Sequence, residues 1–259
     1  MSQQNVVGRL SLEAWQAEIL RLTAFPSPAA QLGEPTWWKD LVGEPPETKI
    51  SQPRTGGQQE EGRFDESRKL VLRVEPTRID WLLTPIDDWA REAKGIPTTG
   101  SFPESLQIFL QLMLRWFEFA TCPAVQRLAF GATVLLPVEN QQAGYRQISA
   151  YFPFQLDPEG SSDFSYQINR PRDSTSGISG LRINRLSKWS VVRVTMGELA
   201  LGPAVVGYSA RQAHDVCRLE LDINTAPDFQ GELSREQLPQ IFQELVNLGR
   251  EIVREGDIP

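Results

Sequence analysis

A chain of 259 residues with one histidine, His214, and two cysteines, Cys122 and Cys217, lacks the raw material of most recognisable active sites. A histidine-based metal centre, a Cys/His nucleophile pair or a zinc cysteine cluster needs several such residues close together. A Ser-His-Asp triad would have to run through His214 alone. Two cysteines this far apart make no disulfide framework, and no G-x-x-x-x-G-K-[ST] phosphate loop occurs. No apolar run approaches the roughly 20 residues that cross a bilayer. The longest, Leu106 to Ala120, is interrupted by Gln111, Arg115 and Glu118 and reads as a buried helix. Met1-Ser2-Gln3-Gln4-Asn5 lacks the basic-then-apolar layout of a signal peptide. The expectation is a cytoplasmic protein with no membrane partner, no cofactor, no metal site and no catalytic residue that can be named.

What is present is ordinary globular composition: 40% hydrophobic, 23% charged, with seven Trp and twelve Phe to fill a core. The net charge of −7 disfavours general polyanion binding. One stretch departs from that average. Between Phe164 and Gly197 stand six basic residues, Arg170, Arg172, Arg182, Arg185, Lys188 and Arg193, and one acid, Asp173. Guanidinium forks beside the Ser/Thr/Gly-rich tract 173–180 suit phosphate oxygens, and Tyr166 and Trp189 are placed to stack on a base. The alternative is a solvated strand face whose arginines pair with acids elsewhere.

Periodicity gives the elements. Leu12, Trp15, Ile19 and Leu22 predict an amphipathic helix over Ser11 to Phe25, ended by Pro26 and Pro28. The tract Ser51 to Gly62 has no apolar residue and predicts a flexible loop. Alternation from Arg68 to Leu83 predicts a β-hairpin broken at Pro76-Thr77. Ser101, Pro103 and Glu104 open a capping box before an apolar helix. Val125 to Val138 is the cleanest strand. Tyr145–Phe152, Phe164–Ile168, Leu181–Ile183, Trp189–Met196 and Cys217–Asn224 also read as strands. Ser234 to Gln237 is a second capping box before a helix striped with Leu238, Ile241, Phe242, Leu245, Leu248 and Ile252, with Pro239 pushing its start one or two residues on. The order predicts an α+β fold of mostly antiparallel sheet with a few long helices. The expected division is 1–67, an N-terminal helix and loop, 68–140, a first lobe, and 141–259, a second.

The strand Cys217-Arg-Leu-Glu-Leu-Asp-Ile-Asn224 followed by Phe242 to Ile252, and Val125-Gln-Arg-Leu-Ala-Phe-Gly131 directly after a helix, carry a resemblance. From Arg68 onward the chain resembles a sporadically distributed bacterial family of uncharacterised proteins of about this length. The resemblance implies an α+β fold, no assigned enzyme activity, and gene neighbourhoods of mobile elements or phage defence.

Three further constellations matter. Asp80 and Glu92-Ala93-Lys94 imitate the D…E-x-K layout of a nuclease superfamily, but residues 89–94 read as a short helix that would hold Glu92 and Lys94 about 200° apart. Glu220 and Asp222 share a strand face with Arg218, a pattern that either presents carboxylates to Mg²⁺ or is ion-paired and solvated. Trp37-Trp38, in a Pro-rich tract, is either a partner-docking element or a staple for the N-terminal loop. His214 reads as a surface residue in a polar connector, and both cysteines as small buried hydrophobes. The leading expectation is a non-catalytic macromolecule-binding or assembly protein. Another protein subunit is its expected partner, with nucleic acid as a further candidate through residues 170–193. The alternative is a metal-dependent phosphodiesterase or nuclease.

Overall fold

The structure, a computed structural model, describes residues 8–28, 30, 32, 35–52, 54, 56–86, 95–201 and 206–257, with side chains at 196–211 left aside. One antiparallel sheet organises it. Ten strands run as β1 (Gln16–Pro26), β2 (Thr48–Gln52), β3 (Gly57–Arg63), β4 (Arg68–Glu75), β5 (Arg78–Pro85), β6 (Val125–Val138), β7 (Ser165–Asn169), β8 (Arg172–Asp173), β9 (Arg182–Leu201) and β10 (Val206–Thr225). Their order is β2-β3-β4-β5-β1-β6-β10-β9-β7, with β8 pairing on β9. Four helices accompany them: α1 (Trp37–Val42), α2 (Phe102–Glu118), α3 (Gln141–Ser149) and α4 (Leu238–Glu255). The fold is α+β. No described helix is long and apolar enough to cross a membrane.

All four helices pack on one face. Even positions of β6 and odd positions of β10 turn Leu128, Phe130, Val134, Leu219 and Ile223 toward them, and Leu20, Leu22 and Ala24 continue that surface on β1. Two aromatic groups fill the layer between. Trp81 on β5 touches Trp116 of α2 at 6.1 Å and Trp38 of α1 at 6.4 Å, while Trp15, Tyr151 and Trp189 meet at 5.4 to 6.1 Å. The buried core forms one cluster from Trp15 to Val253. A single sheet crosses the boundaries expected at 67/68 and 140/141, because β1, from the first segment, lies between β5 and β6.

The hairpin β4–β5, strands β6 and β7, helix α2 and the late start of α4 follow their periodicities. Five expectations are corrected. Residues 11–25 form a single 3-10 turn, Leu12–Ala14, and then β1 rather than a helix. Leu20, Leu22 and Ala24 also alternate, and pairing on both edges overrides the helical spacing. The apolar-free tract 51–62 is most of the β2–β3 ribbon, not a flexible loop. An edge ribbon that faces water needs no apolar side chains, and its charges, such as Lys49 and Glu60 at 3.1 Å, discourage edge-to-edge association. Tyr145–Phe152 is mostly the end of α3, where the Asn140 side chain accepts from the Ala143 N–H at 2.9 Å and Tyr145 and Ile148 share the buried face. At α2, Ser101 makes no side-chain cap. Glu104 instead accepts from Arg68 at 2.5 Å, so no capping box closes. At α4 half of the box forms, the Ser234 N–H donating to Gln237 Oε1 at 2.9 Å. The separate strands expected at 181–183 and 189–196 are one strand, β9.

Close packing of α4 on the sheet fixes a glycine. A Cβ at Gly249 would stand 2.8 Å from Cε1 of Phe130, whose ring is fully buried. Gly249→Ala should therefore cost about 1–3 kcal/mol by overpacking, more than the roughly 1 kcal/mol that alanine gains over glycine inside a helix. Urea denaturation should show a lowered midpoint at constant slope. A raised midpoint would mean that the Phe130 ring yields.

Candidate functional site

The basic window of residues 164–197 is ion-paired throughout. Arg170 grips Asp257 through Nε and Nη2, and the Tyr166 hydroxyl donates to the same carboxylate at 2.7 Å. Arg172 meets Glu251 at 3.2 and 3.3 Å, and Arg185, 3% exposed, reaches the same acid at 3.4 Å. Arg182 lies 3.8 Å from Asp173, Lys188 3.3 Å from Glu220, and Arg193 2.8 Å from Asp215. The Ser/Thr/Gly tract that suits phosphate already holds a carboxylate: Glu244 of α4 accepts from Ser174 Oγ, the Thr175 N–H and Thr175 Oγ1 at 2.6 to 2.8 Å. Trp189 is fully buried against Trp15 and Tyr151 and donates to Ser187 Oγ, which corrects its expected role as a stacking platform. The acids of α4 and of the turn after it thus tie the strands β7 to β9 to the helix layer.

Trp37 and Trp38 are buried too, at 2% and 1% exposure. Trp37 Nε1 donates to Thr121 Oγ1 at 2.8 Å, and both rings pack on the Trp81–Trp116 pair. They staple the N-terminal segment onto α2 and β5 and present no docking surface, because their apolar area is spent in the core. His214 sits on β10 rather than in a connector, its Nε2 3.4 Å from Gln212 Oε1. Cys122 and Cys217 are buried, and burial pushes each thiol up to about 12. Asp80 is buried on β5, where it accepts from Thr23 at 2.5 Å and pairs with Arg78 at 2.7 Å. Glu92 and Lys94 lie outside the described residues.

The face away from the helices has a different character. Along one row of cross-strand neighbours, Leu82 of β5 stands beside Arg21 of β1, then Gly131 of β6, Asp222 of β10 and Leu186 of β9. The next row carries Ile19, Thr133, Glu220 and Lys188. Together they line an open cleft of about 440 Å³. Gly131 is what makes the room. The Arg21 guanidinium leans over it, with Nε and Nη2 3.2 Å from where a Cβ would stand. Arg21 Nε is enclosed and has no hydrogen-bond partner, and among the described residues Arg21 forms no ion pair. Asp222 accepts from Asn224 Nδ2 at 3.0 Å and has no cationic partner among them either. Glu220, by contrast, lies between Lys188 at 3.3 Å and Arg218 at 3.7 Å. Beside it, burial raises the pKa of Glu18, Arg218 partly offsets that and Glu220 reinforces it. Among the described residues no cluster of three or more ligands could hold a metal ion.

Sequence reasoning placed Glu220, Asp222 and Arg218 on one face, and the structure does the same. It missed Arg21, which sits in the stretch read as a helix. The available signal was its position between Leu20 and Leu22, an alternation that sends it to the opposite face from both. Comparison with known proteins finds no matching family model, no matching curated protein and no matching solved structure.

The Asp257 cluster gives a pH signature. Burial alone would raise this carboxyl, but hydrogen bonds from Arg170 and Tyr166, with the charges of Arg170 and Arg185, hold it below the usual carboxylate range. A carboxylate lowered on folding stabilises the protein above its unfolded pKa of about 3.9. That contribution fades as pH falls through the lower folded value. Asp257→Asn should lose about 1–3 kcal/mol at neutral pH. In stability measured by denaturant titration at a series of pH values, it should fall less steeply toward acid than wild type. An equal acid slope would remove the cluster from the pH dependence.

Proposed function

We propose that this protein is a non-catalytic binding or assembly subunit that engages another protein across the face opposite its helices, with Arg21 as the anchor. One observation carries the reading. Each of the six cations between Phe164 and Gly197 has a carboxylate partner within the fold, whereas Arg21 is half-buried beside a cleft with none. An enclosed donor left without an acceptor costs about 1–3 kcal/mol. A carboxylate brought by a partner would remove that cost, and a planar guanidinium binds it in a fixed two-pronged geometry.

Nucleic acid fits this face less well, because the cleft lining sets Glu220 and Asp222 beside Arg21 and Lys188 and so offers no net positive charge to a phosphate backbone. The resemblance seen from residue 68 onward is the sole basis for setting the partner in a bacterial mobile-element or defence system.

Purification from the native host tests the reading, with companion proteins quantified by mass spectrometry for wild type, Arg21→Glu and Arg182→Glu. Arg182 is the control because it is half-exposed and distant in register from the cleft row. Arg21→Glu should reduce the companion about tenfold or more, with a melting temperature no lower than that of wild type, while Arg182→Glu retains it. Retention of the companion by Arg21→Glu would overturn the proposal. So would nucleic acid that leaves with Arg182→Glu.

A further inference from the structure

We infer that the occupant of the cleft is a mixed-charge polypeptide segment lying across the strands, one that sets a carboxylate on Arg21 and a cation on Asp222. The inference rests on the reading of this face as a protein-binding surface and names the chemistry it selects. The row that crosses the cleft is ordered Leu82, Arg21, Gly131, Asp222, Leu186. It reads apolar, cation, gap, anion, apolar. Arg21 and Asp222 face each other across the gap without closing an ion pair, although both are single-residue neighbours of Gly131 on adjacent strands. Two strand spacings, about 10 Å, separate their backbones. Here the Arg21 guanidinium is laid flat over Gly131 and both charges stay available.

Size and charge decide between occupants. Four inter-strand steps separate Leu82 from Leu186, about 19 Å at the usual strand spacing. That exceeds a free amino acid or dipeptide and matches about six residues of extended chain. The cleft opens along one face rather than enclosing its contents, whereas small-molecule sites bury most of their ligand. A polyanion would gain at Arg21 and lose at Asp222, so neither nucleic acid nor a purely acidic peptide uses both. A segment with one acid and one base flanked by apolar residues meets every member of the row.

The test uses the full chain and three fluorescein-labelled probes at low salt, read by anisotropy. They are a short peptide of alternating Glu and Lys with leucine at each end, an oligoglutamate of the same length, and an oligothymidylate. Wild type should bind the mixed peptide most tightly. Arg21→Met and Asp222→Asn should each weaken it about tenfold. The sign of Asp222→Lys is the sharpest readout: it should weaken the mixed peptide and strengthen oligoglutamate. The inference is overturned if oligoglutamate or oligothymidylate binds wild type more tightly than the mixed peptide, or if Asp222→Lys strengthens all three. Stabilisation by free leucine that disappears in Arg21→Met would overturn it as well, assigning the cleft to a metabolite. These outcomes are separable from the host purification. Loss of the companion in Arg21→Glu with no preference among the probes would leave the binding face standing and remove only its mixed-charge selectivity.

Discussion

Strand β1 is hydrogen-bonded on both edges, to β5 through Leu20–Ala24 and to β6 along nearly its whole length. Everything else is arranged around that double pairing. Without it the strands β2 to β5 would be cut off from the rest of the sheet, and β6 would be an edge. A strand paired on both sides cannot slip by one residue without inverting its faces, so its alternation is enforced. Leu20, Leu22 and Ala24 are driven toward the helices, and Arg21 and Thr23 to the other side. Two irregularities survive in its pairing with β6, one at Phe25/Pro26 and one between Ala17 and Ile19, which leaves Glu18 as an extra residue near Arg218 at 3.5 Å. Bulges concentrate twist and re-aim side chains, and the one at Glu18 lies at the rim of the cleft.

The two faces of the sheet are built by different rules. On the helix side the stabilisation is aromatic and close-packed, with six of the seven tryptophans among the largest fully buried side chains. Some polar groups there are matched, as in the Arg68 fork to Asp65, Glu104 and the Thr99 carbonyl, while the indole N–H groups of Trp38, Trp81 and Trp116 are buried without a partner. On the other side the central strand places a glycine where a β-branched residue would pair best. Glycine inside a strand weakens it and commonly marks a close approach. At Gly131 the approaching group is the Arg21 guanidinium. A side chain at that position would press on the guanidinium, so the glycine is what lets Arg21 lie low across the face.

Much of the architecture was legible where one period stood alone. Val125–Val138 alternates without ambiguity, and the stripe of α4 repeats at helical spacing with Pro239 near its start. The α+β class followed from such segments. Legibility failed where two periods overlapped or where apolar content was not the signal. Leu12, Trp15, Ile19 and Leu22 fit a helix, while Leu20, Leu22 and Ala24 fit a strand, and only the neighbouring strands decide between them. The β2–β3 ribbon has no hydrophobic pattern because it buries almost none. At α3 the cap Asn140 was the available signal, and the aromatic-rich residues 145–152 obscured it. The candidate site suffered most. Clustering of arginines along the chain drew attention to residues 164–197, but clustering in sequence does not measure charge that is left unpaired in space.

That distinction rests on the charge balance. With 33 acidic residues against 26 basic ones, carboxylates are in excess, so an arginine has no shortage of potential partners. The window between Phe164 and Gly197 demonstrates it, since Asp257 pairs with Arg170 and Glu251 is shared by Arg172 and Arg185. In an acidic chain a basic cluster is the place where pairing is most readily completed, and its guanidinium forks are consumed by the fold. A cation that remains unpaired in such a chain reflects placement, not supply. Arg21 is placed by a strand locked on both edges, over a glycine, with that glycine's strand between it and a carboxylate it does not reach. The pairing that builds the sheet is therefore also what withholds this charge from the carboxylates of the rest of the molecule, the condition on which the proposed contact with an external acid depends.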